Sequence, residues 1–225
     1  HYMRSNNMLM RTARGADRVF DFYGWQGEID VTNPATREYV WNKLKENYID
    51  NGVDALWFDE AEPEIHPEHF DNLIWYKGRA DMVALLYPYY YSKMAYDGFK
   101  SIGRDDIITL TRCAYLGSQK FGSLVWSGDI ESTFESLACQ VKAGLNMAMC
   151  GIPWWNTDIG GFYGADITND YFKELIVRWF QFGLFSPIMR LHGSRNRHFE
   201  PTPGLKEPSG DPNEIWSFGD ENFEI

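Results

Sequence analysis

The chain has 225 residues, of which 44% are hydrophobic and 16% aromatic, enough to form one sizeable core. Its formal net charge of -11 argues against a nucleic-acid partner, because phosphate binding needs a basic surface. No apolar run reaches transmembrane length, so no membrane partner is expected. Cys113, Cys139 and Cys150 lack metal-ligand spacing, and we expect buried free thiols, which favours a cytoplasmic location.

The first strong helical pattern follows Asn33 and Pro34, which are typical of an N-cap and of the first helical position. Apolar residues then recur near helical spacing until the Asn51-Gly52 stop signal. The run VDALWF (53–58) comes next and predicts a buried strand.

A long helical pattern covers 80–103, and Pro88 inside it predicts a kink or a break. Two more helices are predicted over 132–149, where Ser132 and Glu135 fit a capping box, and over 168–185. The remaining apolar runs predict strands, namely DIITLTR (106–112), GSLVWSGD (122–129), CGIPWWNTD (150–158) and SPIMRLHG (186–193).

The order strand-helix repeats without a long linker, which indicates a single α/β domain over 1–225 with parallel strands and helical crossovers. Polar residues stand at the carboxyl ends of these strands: Asp59, Arg112, Asp129, Asp158 and His192. In a β/α barrel those ends converge on one functional face. A doubly wound open sheet is the rival, but it needs a glycine-rich phosphate loop that the chain lacks.

The predicted fold is therefore a partial (β/α)8 barrel. Eight units typically take roughly 250 residues, whereas the strand count here is about five. We expect the last five β/α units of a barrel whose N-terminal strands are missing from the chain. Open strand edges must be covered, so a homo-oligomer is one way to complete the sheet.

Two acids on different strands, Asp59 and Asp129, suit glycoside hydrolysis, in which one attacks the sugar and the other donates a proton. Clustered Asp and Glu also bind divalent cations, so position alone leaves a metal site open. The HPEH stretch (66–69) offers no third ligand, and an acidic loop is the better interpretation. We expect no metal and no cofactor.

Four motifs, in order, resemble glycoside hydrolase family 31: GVDALWFDEAEPE, LTRCAYLGSQKFGSLVWSGDIESTFESL, GIPWWNTDIGGF and FSPIMRLHG. The resemblance runs from about Gly24 to His198. It implies a retaining α-glucosidase, an α-xylosidase or a related α-transglycosylase.

The resemblance implies that Asp59 is the nucleophile and Asp129 the acid/base. The other family positions implied to bind substrate are Trp57, Arg112, Trp126, Asp158, Phe162 and His192. Each has a structural alternative: a strand-end or loop-fixing acid, an ion-pair partner, or a core aromatic or histidine. Glu62 matches a family glutamate that we interpret as support for the nucleophile, whereas Glu60 and Glu64 are expected to be solvated loop acids.

Two departures from the commonest family pattern, DEAEPE (59–64) and Ile130, look closer to the α-xylosidase-like branch. The sequence therefore predicts a hydrolase of α-xylosides or α-glucosides, with an oligosaccharide or glycoside as its partner. A transglycosylase with the same residues and an inactive carbohydrate-binding fragment are the alternatives.

Overall fold

The computed structural model describes residues 1–21, 24–63, 67–195 and 212–225. These residues form two compact units, His1–Leu124 and Val125–Ile225. Each unit combines short strands with helices, in agreement with the predicted α/β class.

The helices of the first unit flank its strands in the sequence. They are α1 (Tyr2–Ser5), α2 (Pro34–Asn47), α3 (Ala80–Val83) and α4 (Tyr87–Ser101). The strands of this unit are β1 (Arg11–Thr12), β2 (Val19–Asp21), β3 (Trp25–Gly27), β4 (Leu56–Phe58), β5 (Leu73–Trp75), β6 (Gly78–Arg79) and β7 (Thr109–Thr111).

Helix α2 begins as the sequence predicts. The Asn33 side chain accepts a hydrogen bond from the amide of Ala35 at 2.9 Å, and Pro34 opens the first turn. The α-helix ends at Asn47, and a 3-10 turn over Ile49–Asn51 continues to Gly52. Gly52 has a φ of 93°, a left-handed conformation that glycine adopts without strain.

The long helix predicted over 80–103 is broken, as Pro88 indicates. Helix α3 stops at Val83, a 3-10 turn covers Ala84–Leu86, and Pro88 lies in the first turn of α4. Helix α4 packs closely on α2 through Gly98, because a Cβ there would lie 2.0 Å from the ring of Trp41.

Strands β4 and β7 are parallel neighbours, with Leu56 opposite Thr109 and Phe58 opposite Thr111. Side chains alternate along β4, so Leu56 and Phe58 are buried while Trp57 on the other face is 48% exposed. The buried face packs with α2 and α4 in one apolar cluster. This pairing brings the carboxyl ends of the two strands, and the residues that follow them, side by side.

The sequence reasoning missed the antiparallel strands of the first unit. Strand β2 pairs with β3, and β5 lies between β1 and β6. These strands have two or three residues each, too short to produce a clear hydrophobic alternation. A second apolar cluster, around Met10, Trp75 and Tyr87, packs beneath them.

The division between the units falls within β8 (Ser123–Trp126). The second unit also contains α5 (Phe134–Met149), β9 (Trp155–Asn156), α6 (Asp170–Gly183) and α7 (Asp220–Phe223). Strand β9 is parallel to β8, with Trp126 opposite Asn156. The core of this unit surrounds Trp179, whose indole donates a hydrogen bond to Thr157 at 2.7 Å.

Two details of the second unit, and the exposure of the three cysteines, differ from the predictions. The capping box on Ser132 is wrong, because Thr133 is the N-cap of α5 and its hydroxyl accepts from the Ser136 amide. The segment 186–193 forms no strand within the described residues and contributes one parallel bridge, from Leu191 to Ile159. The three thiols are free, but their predicted burial is wrong: Cys113 is half-buried, and the two cysteines of the α5 region are exposed.

Within the described ranges, no helix combines the length and the apolar character needed to span a membrane.

Candidate active site

Asp59 directly follows the last residue of β4, and its side chain is 54% exposed. Its Oδ1 accepts a hydrogen bond from the amide of Glu60 at 2.9 Å. A strand-end position explains how a carboxylate can follow an apolar strand, since water and polar neighbours solvate it there.

Arg112 holds the same position after β7, and the parallel pairing of β4 and β7 brings it to Asp59. Its backbone amide donates to the carbonyl of Phe58 at 3.2 Å. Its guanidinium lies 3.3 Å from Asp59 Oδ1 and contacts two further carboxylates, Glu60 at 3.3 Å and Glu62.

The charges around Arg112 fix its protonation state. Burial disfavours the guanidinium cation, but the hydrogen bond and negative charge of Glu62, with the charges of Glu60 and Asp59, raise the pKa of Arg112. The arginine is therefore permanently charged, and it faces three acids. This excess of carboxylate over guanidinium keeps the site electronegative.

Glu60 has a φ of 54°, a left-handed conformation that costs a non-glycine residue of order 1 kcal/mol. The strained backbone turns the chain immediately after Asp59. Glu62, which the sequence predicted to be supporting, contacts Arg112. Glu64 lies outside the described residues.

In the second unit, Asp129 is an exposed residue three positions beyond the end of β8. Gly128 before it has a φ of 78°, so the chain turns at this point. The same loop continues to Ile130, whose carbonyl accepts a hydrogen bond from the Phe162 amide at 2.7 Å. The loop of Asp129 is thus joined by the backbone to the loop that follows β9.

Asp158 follows β9 and is fully buried, in an ion pair with Arg190. Burial raises the pKa of Asp158 to about 6, Arg190 opposes that rise, and the negative charge of Asp129 adds to it. Arg190 also donates to Asn156 Oδ1 at 3.2 Å and lies 5.7 Å above the ring of Trp126. The charges of Asp129 and Asp158 therefore interact, and Arg190 stabilises the buried carboxylate of Asp158.

The two tryptophans that are expected to bind substrate differ in exposure. Trp57 is 48% exposed, whereas Trp126 is 3% exposed and lies under Arg190. Phe162 and His192 form a stacked pair, with ring centroids 5.8 Å apart and planes 27° from parallel. A half-buried aromatic beside an imidazole is suited to hold one face of a sugar and to bond its hydroxyl groups.

The structure thus places the eight predicted residues in two sets. In the first unit Asp59 and Arg112 meet, and Trp57 precedes them on β4. In the second unit one set contains Trp126, Asp129, Asp158, Phe162 and His192.

Sequence reasoning missed Arg190 and Arg195, which flank His192 within the MRLHGSR segment. Both are largely buried. No local signal marks them as buried, because an arginine is rarely buried unless it is paired, and Asp158 and Gly161 lie 32 and 34 positions earlier in the chain.

No group of three His, Cys, Asp or Glu residues in the described part of the chain is arranged to hold a metal ion. Glu64, Ile65 and His66, at the start of the HPEH loop, lie outside the described residues.

Parallel strands that carry acidic and basic side chains at their carboxyl ends are typical of the active-site face of an α/β barrel hydrolase. The chain belongs to glycoside hydrolase family 31, because the model of that family's TIM-barrel domain matches residues 1–221.

Named relatives agree with this assignment. A family 31 glucosidase of Pseudescherichia vulneris, itself described as uncharacterized, is 44% identical over 193 residues, covering 86% of this chain and 36% of the relative. Alpha-xylosidase A of Aspergillus niger is 32% identical over 253 aligned positions, covering 99% of this chain and 34% of the relative. The crystal structure of a soil-metagenome GH31 α-xylosidase complexed with xylose superposes with a TM-score of 0.91 at 44% identity, covering 99% of this chain and 34% of that one. The chain thus spans about a third of the length of these relatives.

Proposed function

We propose that this chain is part of the catalytic domain of a retaining α-glycoside hydrolase that acts on α-xylosides, with α-glucosides as the second substrate class. The observation that carries the proposal is the exposed carboxylate of Asp59 at the end of β4, oriented by the guanidinium of Arg112. The family model matches across both compact units, which supports their assignment to one domain. We assign the chain about the last five β/α units of the barrel.

In the first step, Asp59 attacks the anomeric carbon of the substrate. Arg112 and the Glu60 amide both contact Oδ1, which leaves Oδ2 as the attacking oxygen. The bond from the anomeric carbon to the glycosidic oxygen breaks as the new ester bond forms. Asp129 gives its proton to the departing oxygen, so the leaving group departs as an alcohol.

In the second step, Asp129 acts as a base. It takes a proton from a water molecule, whose oxygen attacks the anomeric carbon and displaces Asp59. Two inversions restore the α configuration. In both steps one carboxyl group acts on the anomeric carbon and the other acts on the oxygen that is bonded to that carbon. Retaining enzymes hold such pairs of carboxyl groups about 5 to 5.5 Å apart.

Three of the remaining predicted residues bind the sugar in this proposal. Phe162 and His192 form one wall through their stacked rings, and Trp57 offers an open aromatic face. Asp158 is fully buried and paired with Arg190, so its electrostatic influence on Asp129 is its more direct contribution.

The choice of α-xylosides follows the relatives, because two of those named above are α-xylosidases. An α-glucosidase of Saccharolobus solfataricus, 29% identical over 191 residues, makes α-glucosides the second choice. A transglycosylase would use the same two acids with a sugar in place of water. Product analysis with an added sugar acceptor separates the two activities.

The roles of the two acids are tested in the full-length protein with aryl α-xylosides and azide. Asp59→Ala should abolish turnover even with an activated leaving group, because no glycosyl-enzyme can form. Asp129→Ala should still be glycosylated by activated substrates, and azide should then accelerate turnover and yield the α-glycosyl azide.

A matched control is Asp106→Ala, which removes an exposed acid that pairs with Arg104 and should leave turnover unchanged. An α-glycosyl azide from an active Asp59→Ala variant, together with a dead Asp129→Ala variant, would reverse the two roles. Cleavage of β-linked aryl xylosides alone would refute the proposed substrate class.

A further inference from the structure

We propose that Arg195 is a positioning residue that fastens the loop after β9 to the segment of His192, and so holds the sugar-binding wall together. The inference rests on the proposed function for its catalytic consequence. Arg195 itself is 3% exposed and lies outside the four motifs that carry the family resemblance.

The guanidinium of Arg195 bonds three backbone carbonyls from two separate segments. Nη1 donates to Gly161 at 2.6 Å, and Nη2 donates to Ile159 at 3.0 Å and to His192 at 3.2 Å. Asp158 and Phe162 lie directly beside the first two carbonyls in sequence. One side chain therefore connects the backbone around Asp158 and Phe162 to the backbone of His192.

An aromatic ring and a nearby carboxyl stabilise this buried guanidinium. Its carbon lies 5.1 Å from the ring centroid of Phe172, a favourable distance for a cation over an aromatic face. Burial raises the pKa of Asp158, and the positive charge of Arg195 acts with that of Arg190 to oppose the rise. The aromatic ring and the nearby carboxyl offset part of the cost of burying the cation.

Glycines make room for the contacts of Arg195. A Cβ at Gly193 would lie 2.3 Å from Arg195 Nη1 and 2.5 Å from the carbonyl oxygen of Gly161. A Cβ at Gly160 would lie 3.0 Å from Nη2 and 2.5 Å from Ile176. Larger residues at either position would push the guanidinium away from the carbonyls.

The fastened segments carry the stacked pair of Phe162 and His192. A hydrogen bond from the Ser194 amide to the Phe162 carbonyl, at 2.6 Å, also joins them. Backbone bonds of this kind set distances, whereas the planar fork of Arg195 sets an orientation, because its donors point in fixed directions. Lysine has one flexible ammonium group and cannot reproduce this fork.

The test is a double-mutant cycle on kcat/KM for an aryl α-xyloside, in the full-length protein. Arg195→Gln and Arg195→Lys should each lower kcat/KM by about 10- to 100-fold, since small misplacements of binding groups have effects of this size. In a His192→Ala background, the loss should be at least about 5-fold smaller, because the wall that Arg195 positions is already incomplete. Equal losses in both backgrounds would overturn the inference, since a role confined to stability would act independently of His192.

A second measurement does not depend on activity. Amide hydrogen exchange of residues 159–162 and 194 should accelerate in Arg195→Lys, whereas exchange in α2 should be unchanged. Unchanged exchange in the two joined segments would also overturn the inference. Should Arg195→Gln fail to fold, the lysine variant still decides both measurements.

The matched control is Arg178→Lys on α6, because Arg178 is exposed and pairs with Glu174 on the same helix. It should change neither kcat/KM nor exchange. A wild-type protein that cleaves no α-glycoside would refute the proposed function, while the exchange measurement would still test the contacts of Arg195.

Discussion

Replacing Arg190 with methionine removes the cation that pairs with the fully buried carboxyl of Asp158. Methionine fills a similar volume and keeps an apolar contact with Trp126 possible. Breaking a buried ion pair by removing one partner typically costs about 3 to 5 kcal/mol, because the remaining charge is left in a poor solvent. The nearby charge of Arg195 places the expected cost at the lower end of that range.

The cost should depend on pH. The pKa of Asp158 is raised from its ordinary value of 3.8 to about 6 in the folded protein. The folded state therefore binds this proton more tightly than the unfolded state, and the resulting stabilisation is complete below pH 3.8. That contribution is lost as the pH rises through about 6. Removing Arg190 raises the pKa of Asp158 further, so the additional loss of stability lies above pH 6. Each pKa unit of that further rise corresponds to about 1.4 kcal/mol.

The assay is amide hydrogen exchange of α6 in the full-length protein at pH 5 and pH 8, corrected for intrinsic exchange rates, since these amides report the unfolding of the second unit. Arg190→Met should be far less stable than wild type at pH 8 and only slightly less stable at pH 5. Adding Asp158→Asn should recover part of the loss at pH 8. Arg178→Met, in an exposed ion pair, should cost less than about 0.5 kcal/mol at both pH values.

Two outcomes would refute the reasoning. A cost that is equal at pH 5 and pH 8 would mean that Asp158 does not titrate in response to Arg190. A double variant no more stable than Arg190→Met at pH 8 would mean that the buried carboxylate is not the source of the cost.

Three further predictions concern local structure. Thr133→Ala should destabilise the protein by about 1 kcal/mol through loss of the α5 cap, and Ser132→Ala should not lose that cap, as chemical denaturation would show. Gly161→Ala should destabilise the protein by more than about 2 kcal/mol, because the added Cβ would lie 2.6 Å from a backbone atom. Gly164 has a similar φ but open space around it, so Gly164→Ala should cost only about 1 kcal/mol in the same assay. Burial raises the pKa of Cys113 to about 11, so at pH 7 this thiol should react with a disulfide reagent ~100-fold more slowly than the two exposed cysteines of the α5 region.

The sequence by itself determined the helices with strong local signals. Asn33 and Pro34 define the start of α2, and Pro88 separates α3 from α4, because capping and the missing proline amide act within a few residues. The same local logic failed at α5, where Ser132 and Thr133 are both competent caps. The backbone conformation makes Thr133 the N-cap, and two adjacent hydroxyl residues in a sequence do not indicate which of them will be the cap.

The sequence also located the strand ends that carry the candidate site. Apolar runs followed by Asp59 and Arg112 indicated parallel strands with polar carboxyl ends, and the pairing of β4 with β7 has this arrangement. The predicted strands were longer than the observed ones, because an apolar run records burial rather than hydrogen-bonded pairing. The short antiparallel strands of the first unit were missed because two or three residues are too few to produce a clear hydrophobic alternation.

Only the tertiary structure decided which charges meet. Arg112 faces three carboxylates that lie about fifty positions earlier in the chain, and Arg190 meets Asp158 across 32 positions. No periodicity of helix or strand links residues so far apart, so these ion pairs have no local signature. The burial of Asp158, the rise of its pKa and the carbonyl contacts of Arg195 depend on the packing of the second unit around them. Propensity and sequence pattern act over a few residues, whereas burial and charge pairing depend on the whole packed unit. The electrostatics of this site are therefore decided by the tertiary structure.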